Sequence, residues 1–120
     1  MATETAHKSK ELHDVIIEIT AGYFGNDSQK FKINTRHFIN HEMSYRKSVC
    51  YYLLRSYTFI SHDQIAIIFD TGYSTIRNGC SKIENLLTYN RRTMDDIREI
   101  KILIDTFNEK MRKAARLSLQ

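Results

Sequence analysis

The stretch from Ser61 to Lys82 constrains most tightly what this chain can fold into. Ser61 and Gln64 make the S-x-x-Q pattern of a capping box, in which the hydroxyl accepts from an exposed amide and the glutamine reaches back. Ile65, Ile68 and Phe69 supply the apolar side of a short helix over about 61–69, and Ala66 leaves room for a close neighbour. Asp70-Thr71-Gly72 breaks it, with the glycine expected to take the backbone angles of a sharp turn. A second helix follows over about 73–88, with Ile76, Gly79, Cys80, Ile83, Leu86 and Leu87 facing in. Two short helices around such a break are the pattern of a helix-turn-helix.

In that motif the second helix buries one stripe and presents short polar side chains to the major groove. The outward set here is Tyr73, Ser74, Thr75, Arg77, Asn78, Ser81 and Lys82. Small hydroxyls allow close approach, Asn78 can pair with an adenine edge, and Arg77 can read guanine or hold phosphate. A plain helical bundle with a polar outer face carries the same pattern.

The rest of the chain also reads as helix. Proline is absent and only four glycines occur, which favours helices over a turn-rich β architecture. An N-terminal helix is expected over about 5–24, with Leu12, Val15, Ile16, Ile19 and Tyr23 on one stripe and Gly25-Asn26-Asp27 ending it. Residues 28–43 are basic and poorly periodic, with a short helical turn near Gln29. A firmer helix over about 44–58 points Val49, Tyr52, Leu53 and Tyr57 inward. The last helix is expected to start at a Thr93/Asp96 cap and to run almost to the C-terminus. The chain is therefore expected to be all-α, a five-to-six-helix bundle containing a helix-turn-helix. Residues 1–10 read as a flexible tail and 11–116 as one domain.

Along the last helix, Ile97, Ile100, Ile104, Phe107, Met111 and Ala114 follow a heptad-like 3-4 spacing. Its first half is expected to close the domain's own core. Beyond Phe107 the seam is expected to protrude, which suits a monomer or a weak homodimer through the C-terminal helix.

Charge is distributed unevenly. Between Ser28 and Ile60 stand Lys30, Lys32, Arg36, Arg46, Lys47 and Arg55 against a single acid, Glu42. That segment carries about +5 of a whole-chain +4. Such a segment suits a phosphate backbone, although a solvated lysine-rich face accounts for the charge equally well. His37 and His41 have a helical metal spacing but no third ligand nearby, so a surface pair is expected and no metal or other cofactor is implied. Ser74 has no local base, Asp95 and Asp96 read as helix-start acids that favour the dipole, and neither cysteine sits in a nucleophile motif; no enzyme is expected. No apolar run approaches the roughly 20 residues of a membrane span, and the first residues have neither an apolar core nor a cleavage site. Cys50 and Cys80 show no pairing pattern and read as reduced helix residues. A cytoplasmic protein without a membrane partner is expected.

The run Tyr45-Arg46-Lys47-Ser48-Val49-Cys50-Tyr51-Tyr52-Leu53-Leu54-Arg55, followed by Ile60 to Phe69 and then Gly72 to Glu84, resembles the C-terminal DNA-binding domain of the bacterial replication initiator DnaA. Tyr23-Phe24-Gly25 at the end of the first helix fits the same resemblance, which covers about residues 8–108. The resemblance implies a sequence-specific double-stranded DNA binder acting in transcription regulation or replication, for example of a phage or mobile element. It places Ser74 where the family touches bases and Thr75 where it binds phosphate. Lys47 falls where the family has a backbone-contacting arginine, beside Arg46, and Lys82 at a basic position of the recognition helix. Arg36, or equally His37, falls in the loop that enters the minor groove. Two departures alter the expectation. The family's Gly-Gly-Arg-Asp-His is replaced by Asp70-Thr71-Gly72-Tyr73, with Tyr73 in the histidine's place, and Arg77 and Asn78 differ from the usual pair. A different DNA site is expected. The alternative is a helical protein-interaction module that has kept the fold and lost specific DNA binding. No G-x-x-x-x-G-K-[ST] occurs, so the initiator's ATPase is not expected.

Overall fold

The computed structural model describes residues 11–33 and 40–118. The tail expected over 1–10, the start of the first helix and the loop residues Arg36 and His37 lie outside the described residues. Among the described residues there are six helices and no strand, so the all-α expectation holds. They are α1 (Leu12–Tyr23), α2 (Ser28–Phe31), α3 (His41–Tyr57), α4 (His62–Ile68), α5 (Tyr73–Leu86) and α6 (Arg91–Ser118). Among the described residues, no helix is long and apolar enough to cross a membrane.

Helix boundaries follow from caps. At the end of α1, Gly25 takes φ 76°, and the Asn26 and Gly25 amides donate to the carbonyls of Ala21 (2.7 Å) and Gly22 (3.0 Å). These two bonds are the Schellman closure. Asp27 then caps α2 by accepting from the amides of Gln29 and Lys30. Helix α3 begins three residues before the sequence reading placed it, because the Asn40 carboxamide accepts from the Met43 amide at 3.1 Å. Helix α6 likewise begins at Arg91 rather than at a Thr93/Asp96 cap. Asn90 accepts from the Thr93 amide (2.9 Å) and hydroxyl (3.0 Å), so the cap is Asn90. Asn caps as well as Ser or Thr, and in both places it sits upstream of the polar pattern that drew the eye.

The break between α4 and α5 closes by a different residue than expected. Both arms of the Ser61/Gln64 capping box form. At the other end of α4, however, the left-handed residue is Asp70 (φ 50°), whereas Gly72 is extended (φ −92°, ψ 159°) and precedes α5 as its N-cap. The Thr71 amide donates to Ala66 O at 2.9 Å and the Asp70 amide to Ile67 O at 3.2 Å. This repeats the α1 closure with an aspartate where α1 has glycine, and Asp is among the few residues that tolerate that conformation.

Helix α3 is the axis of the bundle. Val49, Cys50, Leu53 and Leu54 are fully buried, and Tyr45, Ser48 and Tyr51 nearly so. Tyr52 and Tyr57, expected inside, are half-buried. A one-stripe reading underestimates this helix because α1 packs on one side of it and α5 on the other. The core continues through Ile16, Ile17, Phe31, Ile65, Phe69, Ile76, Ile83, Ile97, Ile100 and Ile104. Phe69 meets the ring of Tyr51 edge-on at 4.9 Å and that of Phe31 at 6.1 Å, which ties α4 and α2 to the axis. Cys50 and Cys80 are buried and unbridged.

Gly79 sets how closely α5 approaches α3. A Cβ there would stand 2.9 Å from both Ser48 Oγ and Tyr51 Cδ2. Ser48 is engaged with Ser44 O, and the Tyr51 ring is held by Phe69, so neither gives way freely. Gly22 is also helical but has nothing within 4 Å of that position. The same substitution should therefore act with opposite sign at the two sites. Gly22→Ala is expected to raise stability by about 0.5–1 kcal/mol, the ordinary helix gain. Gly79→Ala is expected to lower it by about 1–2 kcal/mol, because overpacking outweighs that gain. Urea midpoints of the two variants test this; a stabilised Gly79→Ala would mean the helices are not in close contact there.

Candidate nucleic-acid interface

The outward face of α5 is built as its spacing requires. Ile76, Gly79, Cys80 and Ile83 are buried, while Tyr73, Ser74, Thr75, Arg77, Asn78, Ser81 and Lys82 are all exposed. Gly72 brings no side chain to cap the helix. Tyr73 packs edge-on against His62 at 5.5 Å, which fixes the start of α5 to the start of α4.

Between this face and the N-terminal half of α3 lies a groove of about 510 Å³. Thr75, Asn78 and Lys82 line it from α5, and Lys47, Ser44 and His41 from α3. It is also lined by Ser48, Tyr51 and Gly79, the residues of the close helix crossing, and by Phe69. No aspartate or glutamate is among its lining residues. The two lysines therefore set the sign of its field. Burial holds the Lys47 ammonium below the usual lysine range, and its Nζ donates to Ile33 O at 2.7 Å. That bond ties α3 to the last described residue before segment 34–39.

Arg46 is used differently from its neighbour. Its Nε donates to Glu42 at 2.8 Å, and one terminal nitrogen donates to Phe24 O at 3.1 Å and Asn26 Oδ1 at 3.0 Å. The guanidinium also lies over the Phe24 ring at 5.3 Å. These contacts hold the end of α1 to α3, so of the adjacent pair Arg46 and Lys47 only the lysine lines the groove.

Glu42, the single acid of the basic segment, is matched twice. Arg92 and Arg46 both donate to its carboxylate. The Arg92 bond first, then Arg46, holds its pKa down at about 2 against the opposing effect of burial. Arg92 also lies 4.4 Å above the Tyr45 ring and 3.4 Å from Asp96. Asp96, read from the sequence as a helix-start acid that favours the dipole, is a buried acceptor shared between helices. It is 8% exposed and accepts from Tyr45 OH (2.7 Å) and Tyr23 OH (2.8 Å), joining α1, α3 and α6 in one place. Burial, then the bond to Asp96, pushes the Tyr23 hydroxyl up to about 12. This cluster fixes the N-terminal turn of α3, which carries one wall of the groove.

The groove thus gathers Lys47, Thr75, Asn78 and Lys82 of the expected set. Ser74 and Arg77 stand exposed on α5 outside its lining, and Tyr73 at the start of that helix. Asn40 and Ser44 were missed by the sequence reading, because it started α3 at Ser44 and so did not see Asn40 as a cap, whereas His41, read there as half of a surface pair with His37, lines the groove. No protein-family model matches the chain.

Proposed function

We propose that this protein binds double-stranded DNA in a sequence-specific manner, with α4 and α5 acting as a helix-turn-helix and α5 as the recognition helix. The observation that carries the reading is the carboxylate-free groove, lined by Lys47 and Lys82, beside a helix face of short polar side chains. In this reading Lys47 and Lys82 hold phosphates on either side of the groove, which supplies affinity without sequence information. Ser74, Arg77 and Asn78 meet base edges, and Thr75 completes a phosphate contact. Arg46 has a positioning role, and the loop with Arg36 and His37 reaches the adjacent minor groove. The resemblance to the DnaA C-terminal domain supports the same assignment, and a regulatory or replicative role follows from it.

The division of labour is testable. Ser74→Ala and Asn78→Ala should each change which bases are preferred, since a good base-edge pair discriminates by about 1–3 kcal/mol. The readout is the affinity ratio between a selected site and its single-base variants. If both substitutions leave every ratio unchanged, α5 is not the recognition helix.

A further inference from the structure

Helix α6 spans 28 residues, ~42 Å at 1.5 Å per residue, in a molecule whose longest extent is 50 Å. Ile97, Ile100 and Ile104 are buried and Phe107 is half-buried, but every residue from Lys110 to Ser118 is exposed. The apolar face does not stop where burial stops. Leu103, Phe107, Met111, Ala114 and Leu117 continue it at spacings of three and four, while Glu109, Arg112, Lys113 and Arg116 occupy the opposite side. Arg112 and Arg116 both pair with Glu109, which keeps the charged side together. Among the described residues this arm is therefore an amphipathic basic helix that packs against no other element.

The same end of the molecule carries a matching hollow. Leu12, His13, Tyr57, Thr58, Phe59 and Ile60, with Glu11 and Gln64 at the edge, line a shallow cavity of about 620 Å³. Phe59 is wholly exposed. The place of the hollow beside the arm is fixed by Tyr57 OH, which donates to Asp105 on α6 at 3.0 Å. Glu11 and Asp105 put acid at the hollow and Asp14 adjoins it, against one arginine, Arg55, which donates to Ile60 O at 2.7 Å. None of the lining residues of the hollow belongs to the arm of its own chain.

We infer that a second copy of this chain covers it: the arm of each copy, residues 107–118, seats its Met111 side on the Leu12–Phe59 hollow of the other. Arm and hollow lie at one end, so the exchange closes after two copies about a twofold axis and does not propagate. Lys110, the one basic residue of the arm that falls on its apolar side, meets the acids at the partner's hollow, which favours this partner over an unrelated apolar surface. The contact is small beside the roughly 800 Å² per partner of a standard interface, so a weak dimer is expected, with Kd on the order of tens of micromolar. The inference does not rest on DNA binding, and its test contains no DNA.

Sedimentation velocity of the full chain across the micromolar range is the test, alongside Phe59→Asp and Met111→Asp. Both side chains are exposed, so both variants should keep the wild-type thermal unfolding curve. The expected result is a concentration-dependent dimer for the wild type, weakened at high salt, and at least about tenfold weaker in each variant. A wild-type chain that stays monomeric overturns the inference, whether or not its arm then holds anionic phospholipid vesicles in a Met111-dependent way. So does a dimer that Met111→Asp disrupts and Phe59→Asp leaves intact, since the arms would then pair with each other and not with the hollow.

Discussion

Asp96→Ala is expected to lower the free energy of unfolding by about 2–4 kcal/mol, a large share of the roughly 5–15 kcal/mol available to a domain of this size. The substitution removes the shared acceptor of two phenols from different helices. Tyr45 is 8% exposed, so its hydroxyl would be left without that acceptor in a place water barely reaches, at a cost of about 1–3 kcal/mol. Tyr23 and Arg92 lose a partner at the same time, but both are more exposed and contribute less. Asp96→Asn keeps the size and one acceptor and should lose about half as much. Chemical denaturation of both variants, with Tyr45→Phe to complete a double-mutant cycle, separates the shared bond from the rest. A surface acid that merely favours the helix dipole would be worth only about 0.3–1 kcal/mol. A loss in that lower range for Asp96→Ala would show that the three helices are not joined there.

The second large effect concerns affinity. Lys47→Ala with Lys82→Ala is expected to weaken all duplexes alike, because both ammonium groups are assigned to phosphate. Each neutralised phosphate contributes about 0.9 to the slope of log affinity against log salt, so the double variant should flatten that slope by about 1.8. Extrapolated from 1 M to 0.15 M salt, the lost counterion release amounts to about a thirtyfold drop in affinity. Arg46→Ala should differ in kind. It should leave the slope nearly unchanged and lower stability, since its guanidinium is already spent on Glu42, Phe24 and Asn26. A steeper loss of slope from Arg46→Ala than from the lysine pair would reverse these roles.

These expectations show which properties of the chain were legible from its sequence. The inner stripe of α5 was, because Ile76, Gly79, Cys80 and Ile83 meet one neighbouring surface and so repeat with one period. The outward polar set followed by complement. Helix α3 was harder, since burial from two sides erases the period, and its Asn40 cap lies in a stretch with little apolar pattern. The turn at Asp70 was misread for a local reason. Glycine is the usual left-handed residue, but the Schellman geometry fixes the position by its distance from α4, and that position holds aspartate. Tertiary partners were the least legible. Nothing local to Asp96 announces two phenols 73 and 51 residues away, nor does the basic character of Arg46 reveal that its charge is consumed within the fold.

Selection of duplexes from a random-sequence library by the purified full chain, washed at physiological salt and sequenced, tests the central claim most directly. Sequence-specific recognition by α5 predicts that one short motif is enriched, and that each mismatch within it costs about 1–3 kcal/mol. Duplexes held no better than by a neutral helical protein at low salt, or held with no sequence enriched, would contradict it.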